Sequence, residues 1–175
     1  MPPKPDSKKP TPAAQLRACI DKLDPKQQKL FRSVRAAMRK RFPTANELVY
    51  DYGHALVIGY SPEQRGIDSI VAIRGSAAGV ALYFNQGPQL PDPKRLLRGS
   101  GKQTRFLQIE AASQLKHPDV AALIAAAVKH ARVALPAATL SSSGKGSLII
   151  KSHGAKKPPR RKRPDQKPPR RKRSK

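Results

Sequence analysis

The seven-residue sequence KPPRRKR occurs twice near the C-terminus, at 157–163 and at 167–173, with a period of ten residues. Each copy holds five cations and two prolines. Proline lacks the backbone N–H that helices and inner strands need, and repulsion between closely spaced like charges keeps a segment extended and solvated. The sequence therefore predicts that residues 156–175 form a disordered basic tail, and any packed core must come from the chain in front of it.

The net charge of +25 is unevenly distributed along the 175 residues. Residues 141–175 hold 14 cations and one acid, whereas residues 11–140 hold 19 cations and nine acids. The middle region has the length of one modest domain. No apolar run approaches the roughly 20 residues of a membrane span, and the start of the chain has no apolar stretch typical of a secretory signal. We expect a cytoplasmic protein without a membrane partner, associated with the nucleoid if the cell is bacterial.

Two helices are predicted at the start of the middle region. Apolar residues recur at three- and four-residue spacing from Ala13 to Leu23. Asp24-Pro25 is typical of an N-cap followed by proline at the first helical position, and the second helix extends to about Arg41. One side of this helix is cationic, which indicates either a solvated face or an anion-binding surface; its residues are Lys29, Arg32, Arg35 and Arg39.

Short apolar runs bounded by turn residues predict β-strands in the centre of the chain. They occupy residues 47–52, 55–60, 67–74, 80–84 and 104–109. Because the first four are joined by short connections, we expect neighbouring strands to pair antiparallel. A short helical turn is predicted at 94–98, and a closing helix starts near His117 and ends near Val133. This order favours an α+β fold, with two N-terminal helices and one C-terminal helix packed on an antiparallel sheet of about five strands.

These patterns divide the chain into four regions. Residues 1–12 are predicted to be a disordered arm, 13–135 an α+β domain, 136–155 a Ser/Gly-rich linker, and 156–175 the basic tail. The linker contains one apolar island, SLII at 147–150. It is too short to fold alone, and it either adds an edge strand or docks on the sheet.

The sequence RGSGKQTR at 98–105 is the strongest candidate for a binding site inside the domain. Glycines allow successive backbone N–H groups to converge on an anion, and nearby cations add attraction. Four residues are therefore candidate anion-binding residues: Gly99, Gly101, Lys102 and Arg105. The segment is not a P-loop, because Leu96 stands where the first glycine is needed. A tight turn that leads into a strand is the alternative.

Catalytic and metal-binding patterns are weak. The four histidines share no metal-ligand spacing, and no Gly-x-Ser-x-Gly sequence marks an activated serine. Three acids predicted to lie in strands, Glu47, Asp51 and Asp68, would have to meet in space to act as a catalytic pair. The single cysteine, Cys19, lies among apolar helix positions and is predicted to be buried. We expect no enzymatic activity, no catalytic residues, no cofactor and no bound metal.

Four further features indicate a family. They are Gly53 after the first strand, LYF at 82–84, Asp92-Pro93, and the pattern Gly99-x-Gly101-Lys102-x-x-Arg105. Over residues 13–133 the chain resembles the YdhG-like family, a bacterial domain of unknown function. The resemblance implies a frataxin-like architecture, with helices packed on one face of an antiparallel sheet.

The same resemblance brings iron binding into consideration, because a member of the family is regarded as a frataxin-like iron chaperone. Frataxin-type iron binding uses an acidic ridge near the first helix, since iron ions favour carboxylate oxygen. Here the first two helices offer only Asp21 and Asp24 among many cations. Iron binding is therefore an alternative rather than the leading interpretation.

The leading interpretation is a non-enzymatic domain whose basic tail binds nucleic acid without sequence specificity. A ten-residue repeat in polyproline II geometry spans roughly 31 Å, close to the roughly 34 Å of one turn of B-DNA. The tail has no aromatic residue to stack on bases, so phosphates are its expected target. The alternatives are an iron chaperone, a small-anion or phosphate-ligand binding module, and a solvating tail without a partner. The predicted tail contacts are Lys157, Arg160, Arg161, Lys162, Arg163, Lys167, Arg170, Arg171, Lys172 and Arg173.

Overall fold

The computed structural model describes residues 9–137 and 145–152, which form an α+β fold of three α-helices and six strands. The helices are α1 (Pro12–Ile20), α2 (Pro25–Arg41) and α3 (Pro118–Lys129). The strands are β1 (Asn46–Asp51), β2 (Ala55–Ser61), β3 (Val71–Ser76), β4 (Gly79–Phe84), β5 (Arg105–Ile109) and β6 (Leu148–Ser152). Three short 3-10 segments connect them, at Gly66–Asp68, Gly87–Gln89 and Ala112–Lys116. Within the described residues no helix is long and apolar enough to cross a bilayer.

Side-chain caps fix where the first two helices begin. The hydroxyl of Thr11 accepts a hydrogen bond from the Ala14 N–H, at 3.2 Å. The carboxylate of Asp24 accepts one from the Lys26 N–H, at 3.0 Å, and proline follows at the first helical position. Such caps satisfy N–H groups that have no partner inside the helix. The predicted start and end of α2 are both confirmed.

The six strands form one mixed sheet in the order β5-β4-β3-β2-β1-β6. Strands β1 to β5 are antiparallel neighbours in chain order. The short connections of the first four strands predict this pairing for β1 to β4. The prediction of a purely antiparallel sheet of about five strands is wrong at one edge, where β6 pairs parallel with β1. A parallel strand needs a long connection, which α3 and the residues after it provide. The apolar island at 147–150 is therefore an edge strand.

One face of the sheet forms the core with the helices. Val49, Ile58, Ile73 and Leu82 lie in register across β1 to β4 and are fully buried. They belong to a single apolar cluster with the buried side chains of the helices, among them Phe31, Val34, Leu123 and Ile124. Helix α2 lies close to β3 because residue 75 is glycine. A Cβ atom at Gly75 would lie only 2.9 Å from the ring of Phe31.

The structure corrects two local predictions. Residues 94–98 do not form a helical turn. Instead the carboxylate of Asp92 accepts hydrogen bonds from the N–H groups of Leu96 and Leu97, at 2.9 and 2.8 Å, and Arg95 has a positive φ of 53°. The run at 67–74 begins as a 3-10 turn and becomes a strand only at Val71. In both places local hydrogen bonds override the apolar pattern.

Candidate functional site

The glycine-containing loop between Arg98 and Phe106 is closed by backbone hydrogen bonds at its base. Each of these two residues donates its N–H to the carbonyl oxygen of the other, at 2.8 and 2.9 Å. Gly99 adopts a φ of +104°, a conformation that side chains rarely tolerate. The tight turn expected from the glycines is thus present, and it leads directly into β5.

The four candidate anion-binding residues have different surroundings within this loop. The Arg105 guanidinium donates through Nη1 to the carbonyl oxygens of Gly101 and Thr104, the latter at 3.0 Å. It therefore stabilises the loop from within. The Lys102 side chain is exposed and lines a cleft beside the loop. Anion binding by these residues stays a prediction. Of its two cations, Lys102 lines a cavity and Arg105 binds the loop.

That cleft, here called the amide cleft, lies between the loop and the end of α3. Its outer part has a volume of about 370 Å³ and its inner part about 150 Å³. Four side chains line both parts, three with an amide group and one with a guanidinium group: Asn85, Gln86, Gln103 and Arg132. With Lys102 at the outer part, the cleft combines two cations with amide groups that both donate and accept hydrogen bonds.

A buried carboxylate lines the inner part of the amide cleft. Asp68 is 8% exposed, and its Oδ2 atom has no hydrogen-bond partner among the described residues. The nearest cation is Arg65, whose Nε lies 3.6 Å from that oxygen. Buried polar atoms almost always have a hydrogen-bond partner, so this oxygen is suited to accept one from a ligand or a water molecule. The cleft fits a ligand that has both a donor group and a negative charge.

Most of the amide cleft escapes prediction from the sequence. Asn85 and Gln86 follow β4, and Arg132 follows α3, 30 residues after Lys102. Isolated amides and a lone arginine form no motif. Only the fold, which places the end of α3 beside the loop after β4, brings them together.

The cationic side of α2 is not simply solvated. Arg35 donates to both oxygens of Glu47, at 2.9 and 2.7 Å, and Arg39 donates to the same carboxylate at 3.0 Å. The hydroxyl of Tyr60 also donates to Glu47, at 3.2 Å. Burial raises the pKa of Tyr60 well above 10, and the charge of Glu47 adds to this. Glu47 is 3% exposed, so this cluster stabilises the domain.

Asp51 has a separate set of partners. Its carboxylate accepts hydrogen bonds from Lys22 at 2.7 Å and from the Gly53 N–H at 2.8 Å. The Cys19 thiol lies 3.6 Å from Oδ2 of Asp51. The prediction that Cys19 is buried is confirmed. Burial, together with the charge of Asp51, raises the pKa of the Cys19 thiol. Glu47, Asp51 and Asp68 therefore occupy three different environments and form no catalytic pair.

The two acids considered for iron binding are each engaged. Asp21 forms an ion pair with Arg32 at 2.5 Å, and Asp24 caps α2. Across residues 9–137 and 145–152, no three His, Cys, Asp or Glu side chains are grouped so that they would hold a metal ion.

The predicted nucleic-acid contacts in the tail, from Lys157 to Arg173, lie outside the described residues. No protein-family model matches the chain, and neither curated proteins nor solved structures include a significant match.

Proposed function

We propose that this protein binds the phosphate backbone of nucleic acid through its duplicated basic repeat, and that the α+β domain is a non-enzymatic, YdhG-like carrier of that tail. The repeat is the observation that carries the proposal. Its ten cations at 157–173 are interspersed with prolines, and apolar residues that could form a core are absent from these positions. Cations that neutralise phosphates release condensed counterions, which drives binding without sequence specificity.

The charge balance of the domain supports this function. The described residues contain 22 Lys and Arg against nine Asp and Glu. Five of these acids already form ion pairs within the domain: Asp21, Glu47, Asp51, Asp68 and Asp119. The described domain therefore adds positive charge to that of the tail.

The test is a full-length variant in which the ten cations of the repeats are replaced by glutamine, which lowers the formal charge by ten. We expect its affinity for a fluorescein-labelled 20-base-pair duplex in low salt to fall by about 100-fold or more, measured by fluorescence anisotropy. A second variant that scrambles the order of residues 157–173 keeps the charge and should bind like the natural chain. Equal affinities of the natural chain and the glutamine variant would refute the proposal.

A second function, binding of a small phosphate-bearing ligand, is supported by the amide cleft. Lys102 and Arg132 line one cavity, and Oδ2 of Asp68, which has no hydrogen-bond partner among the described residues, offers an acceptor at its inner end. We expect nucleoside monophosphates to raise the melting temperature of the full chain, and this shift to be lost in Lys102→Gln and Arg132→Gln. Lys129→Gln, which removes an exposed cation at the end of α3, is the matched control. An unchanged shift in all variants would exclude the cleft.

A further inference from the structure

The three described helices pack on one face of the sheet and leave the second face without a helix from the described residues. In β3, Gly75 lies against Phe31 of α2, so its neighbour Arg74 lies on the opposite face. The register places Arg74 opposite Ala81 of β4 and Val57 of β2, and Val57 opposite Tyr50 of β1. Residues 66–69 cover only part of this face, where Ser69 lies against Gly59 and Gly66 against the Tyr50 hydroxyl. We call the remainder, centred on Arg74, the open face.

Aromatic rings stand at both sides of the open face. Tyr83 and Phe106 are cross-strand partners whose rings stack, with centroids 5.2 Å apart and an interplanar angle of 21°. On the other side, the rings of Tyr50 and Tyr52 stack with centroids 6.2 Å apart, and Tyr52 is 57% exposed. The other three rings are partly exposed.

Arg74 is the strand cation of the open face, and no carboxylate of the described strands shares this face with it. The described strands contain two carboxylates, Glu47 and Asp51. Both lie on the face that packs against the helices, where they bind Arg35 and Lys22. On the open face the Arg74 guanidinium lies 3.5 Å from the Tyr83 hydroxyl. Aromatic rings around an arginine match the bases and phosphates of a nucleic acid strand.

The last described strand ends beside this surface. Ser152, at the end of β6, lies opposite Tyr50 in the register. The first repeat begins at Lys157, so an extended chain spans at most about 17 Å from Ser152 to it. A strand bound on the open face would thus lie within reach of the repeats.

We infer that the open face binds single-stranded nucleic acid, with bases stacked on Tyr83, Phe106 and Tyr50 and a phosphate paired with Arg74. A duplex does not fit this role, because its bases are already stacked inside the helix. This inference goes beyond the proposed function, since the tail contacts phosphates and the open face contacts bases.

The experiment measures binding of labelled dT12 and of a 12-base-pair duplex to full-length variants. We expect Tyr83→Leu and Phe106→Leu each to weaken dT12 binding by about ten-fold, because stacking of a base is lost, and to leave duplex binding unchanged. Tyr83→Phe keeps the ring and should retain the affinity. Arg74→Gln should weaken dT12 binding, whereas Arg17→Gln, an exposed arginine on α1, should do so much less.

A spectroscopic readout accompanies the affinities. The chain has no tryptophan and four tyrosines, of which only Tyr60 is buried in the core. We expect dT12 to quench tyrosine emission in the natural chain, and also in the variant whose repeat cations are replaced by glutamine. This second variant separates the two proposals. If the glutamine variant no longer binds the duplex, the proposal for the tail is supported. If dT12 still quenches its tyrosine emission, the inference for the open face is supported.

Three results would overturn the inference. The first is that the leucine variants bind dT12 as tightly as the natural chain does. The second is an equal loss of duplex and dT12 binding in those variants. The third is evidence that something else occupies the open face. That evidence is either a dimer that the leucine variants abolish while dT12 binding persists, or tyrosine emission that changes when the repeat cations are replaced but not when dT12 is added.

Discussion

At the scale of single residues, the domain places its few acids where they stabilise the fold. Glu47 is the clearest case, because four hydrogen bonds from Arg35, Arg39 and Tyr60 meet on one buried carboxylate. These partners come from α2 and β2, and Glu47 lies in β1. The carboxylate therefore fixes how α2 lies over β1 and β2.

Replacing this carboxylate should be costly. Glu47→Gln leaves two guanidinium groups without their charge partner, and the Arg35 side chain is only 23% exposed. We expect the free energy of unfolding to fall by about 3 kcal/mol, measured by urea denaturation. Asp21→Asn is the control, since the ion pair of Asp21 with Arg32 is exposed and should contribute at most about 0.5 kcal/mol. Similar losses in both variants would contradict this role of Glu47.

Asp51 makes the stability depend on pH in the acid range. Burial alone would raise its pKa, but the hydrogen bonds from Lys22 and the Gly53 N–H outweigh burial, and the pKa is lowered below 3.8. A carboxylate with a lowered pKa stabilises the folded state above its unfolded pKa, and this stabilisation is lost as the pH falls through the folded value.

The corresponding variant is Asp51→Asn. The natural chain should lose stability steeply below about pH 4, and the variant should start from a lower stability and lose less of it over the same range. Urea denaturation midpoints between pH 6 and pH 2 provide the measurement. Parallel curves for the two chains would show that Asp51 does not titrate as described.

At this scale, whether the sequence predicts a contact depends on how far apart the two residues lie along the chain. The Asp24 cap and the burial of Cys19 depend on neighbouring residues, and both were predicted. The Lys22–Asp51 ion pair joins residues 29 positions apart, and the Arg35–Glu47 pair depends on the register between α2 and β1. A single sequence contains no signal for such pairs, because tertiary packing sets their geometry.

At the scale of elements, β6 is the feature that the sequence left open. Ser147 donates its N–H to the Asn46 side chain at 3.0 Å and accepts a hydrogen bond from the Glu47 N–H at 2.8 Å. Gly146 precedes this contact and donates to the Pro43 carbonyl at 2.8 Å. The chain approaches so closely that a Cβ atom on Gly146 would lie 1.8 Å from the Ala45 carbonyl oxygen. Sequence pattern alone cannot show this contact.

Gly146→Ala should therefore release β6 from β1. We expect the amide hydrogen of Glu47 to exchange at least about ten-fold faster in the variant, because its acceptor on Ser147 moves away. The control is Gly101→Ala, where the nearest atom to an added Cβ is 3.4 Å away. Unchanged protection of Glu47 in Gly146→Ala would mean that β6 docks without this close approach.

At the scale of the whole molecule, the apolar pattern and the highest density of positive charge occupy different parts of the sequence. The sequence predicted the α+β class, the three helices and the antiparallel pairing of the first four strands, because amphipathic periodicity and short connections determine them. It did not predict the amide cleft or the open face, which gather residues from distant strands and loops. By contrast, the sequence is sufficient to propose a chemistry for the tail, because that chemistry depends on composition and requires no fold.

The central claim is that the repeats bind phosphates electrostatically, and the salt dependence of duplex binding tests it most directly. For each phosphate contact the slope of log K against log salt changes by about −0.9. The natural chain should therefore show a steep negative slope, and the variant with ten glutamines in the repeats should lose several units of it. If both chains give the same slope, or if the natural chain does not bind the duplex in low salt, the claim is wrong.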